Sequence, residues 1–235
     1  MTSESFPKSK DSSTAIETIR VARAVRVDAL RTRISTMSNC VPLVLEIGCG
    51  HGHFLTALAA ARPAFHCVGV DIIAKRIESA LRKCERAALP NLNFFRSEVG
   101  EFLEALPANT QIAEIYVLFP DPWPKKRHHK NRLFQASLLD HLAALSAPML
   151  TRLHFRTDHE GYFAHASATI ARHPRWRLTP ELPWAFDCET IFSQRLPRHR
   201  SLTALCVDKP DTLPVHRGNA IENASKKNVN NSFTF

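Results

Sequence analysis

The chain has 235 residues, 44% of them hydrophobic, which suits one domain with a sizeable core. A net charge of +9 and a pI near 9.6 favour a polyanionic partner over an acidic small molecule. Composition argues against export, membrane insertion and metal binding. The first fifteen residues hold no apolar leader, no apolar run approaches the roughly 18 residues of a membrane span, and the six cysteines never fall at a Cys-x-x-Cys spacing. The expectation is a cytoplasmic protein with reduced, partly buried cysteines.

Residues 1–13 and 209–235 are polar and poor in apolar side chains, and are expected to be a disordered arm and tail around a single domain, 14–208. Residues 14–37 read as a helix in which Ile16, Ile19, Val27, Leu30 and Ile34 recur at helical spacing, while Arg20, Arg23, Arg26, Arg31 and Arg33 supply a basic face. That face either meets RNA or is simply solvated. A regular alternation follows. Strands are predicted at 41–47, 65–71, 92–95, 112–119 and 149–156, and helices at 54–61, 75–88, 101–106, 132–146 and 160–173. This pattern implies an α/β fold with a mostly parallel, doubly wound, Rossmann-like sheet. Short strands at 176–178 and 201–207, split by a Pro-rich segment, predict an antiparallel C-terminal part.

The first strand ends in Leu45-Glu46-Ile47-Gly48-Cys49-Gly50-His51-Gly52, a turn at which backbone can approach a ligand. His53 stands where a dinucleotide fingerprint wants its third glycine, which disfavours NAD. A carboxylate at Glu46 repels phosphates and favours an amino group or a sulfonium. Asp71 ends the second strand, where an acid accepts from ribose hydroxyls. S-adenosylmethionine, which carries a ribose, an ammonium and a sulfonium but no phosphate, matches this pattern of Glu46, Gly48, Gly50 and Asp71. Glu98, just past the third strand, either reaches the adenine or starts the next helix as a dipole-favourable acid.

Residues 119–132 read Phe-Pro-Asp-Pro-Trp-Pro-Lys-Lys-Arg-His-His-Lys-Asn-Arg. Prolines lock the backbone around Asp121 and Trp123. The cations Lys125, Lys126, Arg127, Lys130 and Arg132 follow at once. A rigid acid beside an aromatic, leading into a cationic run, suits a site that positions a base and holds its phosphates. The plainer reading of the run alone is a solvated face. Trp123 either stacks on a base or anchors its own loop.

These segments resemble the bacterial tRNA (guanine-N7-)-methyltransferase family. The resemblance rests on residues 45–50, on Gly69-Val70-Asp71-Ile72, on the 119–132 block, on Arg156-Thr157-Asp158 with Tyr162 nearby, and on Glu189-Thr190-Ile191-Phe192, and it covers roughly residues 40–207. It implies an S-adenosylmethionine-dependent methyltransferase fold and formation of N7-methylguanine in the variable loop of tRNA. It implies cofactor contacts from Glu46, Asp71 and Glu98, with Asp121 where cofactor and base meet. Lys125, Asp158 and Thr190 fall at substrate-contact positions. Ser193 stands where the family carries an acid, which leaves two other readings: a methyltransferase for another RNA or atom, and a weakened RNA-binding member. Asp158 has a second reading as the N-cap of the helix that follows it.

Overall fold

The computed structural model describes residues 11–37, 42–188 and 198–208. Thr190, Ser193 and the expected tail lie outside the described residues, as does the expected arm up to residue 10. Seven strands form one sheet in the order β3-β2-β1-β4-β5-β7-β6. They are β1 Leu43–Ile47, β2 His66–Asp71, β3 Leu92–Arg96, β4 Ile112–Leu118, β5 Arg152–Thr157, β6 Trp176–Leu178 and β7 Arg200–Cys206. The first five are parallel to one another, and β7 runs antiparallel to both β5 and β6. The sequence-based fold class is therefore the observed one.

The helices are α1 Asp11–Ile34, α2 His53–Ala61, α3 Ala74–Ala87, α4 Val99–Ala105, α5 Ala136–Ala144 and α6 Glu160–Arg172. Period-2 alternation divides the strand residues between two cores. Leu45, Ile47, Val68, Val70, Ile115, Val117, Leu153 and Phe155 face α1, α4, α5 and α6. Val44, Cys67, Phe94 and Tyr116 face α2 and α3, and there the 184–188 segment takes the place of a further helix. Trp184 lies edge-on to Tyr116 and His154, and Phe186 lies edge-on to Phe54. Arg62 donates to Glu114 at 2.8 Å and also to the Ala185 carbonyl.

Three elements depart from their sequence-based forms. In α1, Val27, Leu30 and Ile34 are buried, whereas Ile16 and Ile19 are exposed because packing on α4 begins only at Arg23. The basic face is largely spent within the fold: Arg23 pairs with Glu104 at 2.7 Å, Arg26 with Glu101, and Arg33 lies over the Phe95 ring. The helix expected over 132–146 is the shorter α5, Ala136–Ala144, and a 3₁₀ turn, Lys126–Asn131, precedes it. Gln135 Nε2 donates to the carbonyls of His129 and Arg132, which holds the chain extended just ahead of α5. Finally, β5 starts at Arg152 rather than 149, because Met149 is left-handed at φ 62°.

Candidate active site

Open parallel sheets bind ligands beyond the carboxyl ends of their strands, at the point where strand order reverses. Here that point is β1, flanked by β2 and β4. The strand order sets Glu98, Asp71, Glu46, Asp121 and Asp158 along one rim, each at or just beyond the end of successive strands from β3 to β5. The sequence-predicted acids are thus brought to one edge by topology alone.

The glycine turn closes onto β2. The amides of Gly48 and Cys49 both donate to the Val70 carbonyl, at 2.8 and 3.1 Å. Gly48 and Gly50 adopt φ of 77° and 54°, and a methyl group added at either would meet no atom within 4 Å. Glycine is required there for conformation, and the space beside it is open. Gly52 differs: at φ 73°, an added methyl carbon would sit 2.6 Å from the Phe94 ring and 2.9 Å from Ala80. The close helix–strand packing that a dinucleotide fingerprint assigns to a later glycine is provided by Gly52, which leaves position 53 free to be His.

Asp71 is buried and committed to the turn. Its Oδ2 accepts from the Gly50 amide at 3.0 Å and its Oδ1 from the Ile73 amide at 2.8 Å, with Arg76 at 3.6 Å. Each carboxylate oxygen keeps a second lone pair for a hydroxyl. Glu46 is only 3% exposed, and its Oε2 has no partner. Burial first, then the Asp71 charge, pushes its carboxyl well above the usual range. A buried carboxyl with an unpartnered oxygen is a place for a cation, whose charge would favour the ionised form. Glu98 is exposed, immediately precedes α4 and makes no side-chain capping bond.

Beyond β4, Asp121 is exposed between two residues held in the left-handed region, Phe119 at φ 49° and Trp123 at φ 44°. Such strain in non-glycine residues costs on the order of 1–3 kcal/mol each and is a common feature of functional loops. Trp123 is not a buried anchor: it is 36% exposed and lies edge-on to His128 at 5.8 Å. Lys125, Lys126, Arg127 and Lys130 are exposed, as expected of an outward cationic face. Arg132 is not part of that face, being 3% exposed and turned inward. Asp158 is exposed at the end of β5 but does not cap α6. His159 does, its Nδ1 accepting from the Tyr162 amide at 3.1 Å. Tyr162 is buried and its hydroxyl accepts from the Phe134 amide; burial pushes that hydroxyl up to about 12, and the Asp121 charge adds to the shift.

Sequence reasoning missed the residues that fix the segment over the sheet. Arg156 donates to Ser201 and Asp187, both at 2.9 Å, and lies 4.1 Å from the Trp184 ring centre. Its position in Arg-Thr-Asp marked it as part of a motif but said nothing of these partners. Among the described residues no His/Cys/Asp/Glu cluster could hold a metal ion, and no helix is long and apolar enough to cross a membrane.

The family model described as "Putative methyltransferase" matches residues 41–194. The tRNA (guanine-N(7)-)-methyltransferase of Nocardia farcinica (strain IFM 10152) is 38% identical over 133 residues, covering 57% of this chain and 49% of the relative. The enzyme of the same description from Streptococcus suis (strain 05ZYH33) is 36% identical over 135 residues, covering 57% and 63%. The chain therefore spans about half to three-fifths of the length of these curated relatives. The crystal structure of the aminoglycoside resistance methyltransferase NpmB1 superposes with a TM-score of 0.50 at 20% identity, over 77% of this chain and 93% of that one. The 16S rRNA methyltransferase KamB gives a TM-score of 0.50 at 19% identity, over 77% and 92%. These two likenesses establish the shared fold. With a family match that covers well over half of its length, the chain belongs to this methyltransferase family.

Proposed function

We propose that this protein transfers the methyl group of S-adenosylmethionine to N7 of a guanine in the variable loop of tRNA, in the cytoplasm, through a single domain spanning residues 14–208. The observation that carries the reading is the strained Pro-Asp-Pro-Trp loop. It presents Asp121 at the end of β4, beside the glycine turn and ahead of an exposed cationic run. The similarity to proteins described as tRNA (guanine-N(7)-)-methyltransferases supports N7 of a tRNA guanine as the acceptor.

The residues present fit the cofactor. The unpartnered Oε2 of Glu46 is matched to its ammonium group, the free lone pairs of Asp71 to its ribose hydroxyls, and the open space at Gly48 and Gly50 to its close approach. Glu98 stands on the same rim for the adenine. When bound, S-adenosylmethionine supplies an electrophilic methyl on sulfur. Guanine N7 carries an exposed lone pair, so no proton has to be removed and no general base is assigned. The work of the chain is alignment, an effect worth roughly 7–11 kcal/mol when reacting atoms are held in line. Asp121 accepts from the N1–H and N2–H of the guanine and stabilises the positive charge that the purine gains. Lys125, Asp158 and Thr190 are the proposed substrate contacts, Thr190 lying outside the described residues. Trp123 offers a half-exposed face for stacking, worth about 1–3 kcal/mol per base.

The test is transfer of labelled methyl to a tRNA transcript beside one whose variable-loop guanine is adenine. Label on the first alone supports the reading. Label on both moves the target, and label on neither, with cofactor bound, leaves an RNA-binding role.

A further inference from the structure

Arg132 sits at the end of the most basic run in the chain, yet it is 3% exposed. Its Nε donates to the Pro122 carbonyl at 2.9 Å and its Nη1 to the Gly161 carbonyl at 3.4 Å. Its guanidinium lies 5.0 Å from the centre of the Tyr162 ring. One planar cation therefore ties the loop that carries Asp121 to the first turn of α6, next to Asp158. Tyr162 is itself fixed, by its bond to the Phe134 amide and by edge-on packing against Phe155 at 5.3 Å. Phe119 and Trp123 hold backbone conformations that persist only when surrounding contacts impose them. On one side the Phe119 amide donates to the Arg156 carbonyl at 2.8 Å; on the other, the fastening at Pro122 is Arg132.

We infer that Arg132 is a positioning residue that fixes the Asp121 loop against α6 and sets the spacing of Asp121 and Asp158, rather than a phosphate contact. For methyl transfer this inference rests on the function proposed above. A guanidinium is needed because two carbonyls and a ring face are met at once by a planar fork, which an ammonium cannot reproduce.

The experiment compares wild type, Arg132→Gln and Arg132→Lys, with Lys126→Gln as the surface-cation control. In Arg132→Gln, kcat per S-adenosylhomocysteine-binding site falls about tenfold or more. The Kd for tRNA stays within about twofold, and the slope of log K against log salt is unchanged. Lys126→Gln instead lowers that slope by about 0.7–0.9. Arg132→Lys, although still cationic, shows the same loss of kcat as Arg132→Gln. Counting binding sites separates this loss from a smaller folded fraction. A reading that needs no activity is trypsin cleavage after Lys125, Lys126 and Arg127, which quickens several-fold in both Arg132 variants while S-adenosylhomocysteine still binds. A lowered salt slope with unchanged kcat in Arg132→Gln would make Arg132 a phosphate contact and overturn the inference. Full recovery in Arg132→Lys, or cleavage rates equal to wild type, also overturns it. If wild type methylates no tRNA, the function proposed above fails, and the cleavage rates still decide the fastening of the loop.

Discussion

Glu46 holds its carboxyl out of water with one oxygen unpartnered, so burial, and after it the Asp71 charge, disfavours its ionised form. Its carboxyl is therefore raised in the folded protein above its unfolded value. The sign follows: ionising Glu46 destabilises the unliganded protein above the usual carboxylate range, and that penalty is relieved as the pH falls through the raised value. Glu46→Gln should thus raise the Tm of the unliganded protein at neutral pH. It should also weaken S-adenosylhomocysteine about ten- to hundredfold, the range for a lost charge-assisted hydrogen bond. Wild-type affinity should fall in acid as Glu46 gains a proton, and the variant's should not; calorimetric titration across pH checks both. Asp121→Ala should lower kcat by about 10²–10³ while tRNA affinity changes less than about twofold, as measured by single-turnover rates beside filter binding. Gly52→Ala puts a methyl group on the Phe94 ring at a positive φ and should cost about 1–3 kcal/mol in denaturant unfolding.

Among the elements, α1 shows what the sequence carried and what it hid. Its helical spacing is plain, and Val27, Leu30 and Ile34 do enter the core. Nothing in the same spacing tells them from Ile16 and Ile19, because the distinction lies in where α4 ends. Leu30→Ala should cost about 2–5 kcal/mol and Ile16→Ala less than about 0.5, as read by unfolding. Arg26 holds the carboxyl of Glu101 below its ordinary value, and this contribution is lost as the pH falls through that lowered value. The basic run divides in the same way. Its outward members were legible from charge alone, whereas Arg132 turns inward because Leu133 and Phe134 follow it into the core. The strands and the acids at their ends were legible because parallel pairing places every strand end on one rim. The cap of α6 was not, since a His Nδ1 serves it as well as the neighbouring carboxylate.

At the scale of the molecule, a charge of +9 on a sheet whose acids gather at one rim describes a body drawn to a polyanion with an acidic centre for a cationic cofactor. Affinity for tRNA should fall steeply with salt, and replacing Lys125 and Lys126 together by Gln should reduce the slope by about twice the 0.7–0.9 of a single phosphate contact. In the proposed reaction the acceptor is one atom, N7. Its most direct test is labelled methyl transfer to a tRNA whose variable-loop guanine is replaced by 7-deazaguanine, in which that nitrogen alone becomes carbon. The guanine tRNA should take label and the 7-deaza tRNA none. Equal label in both would contradict it.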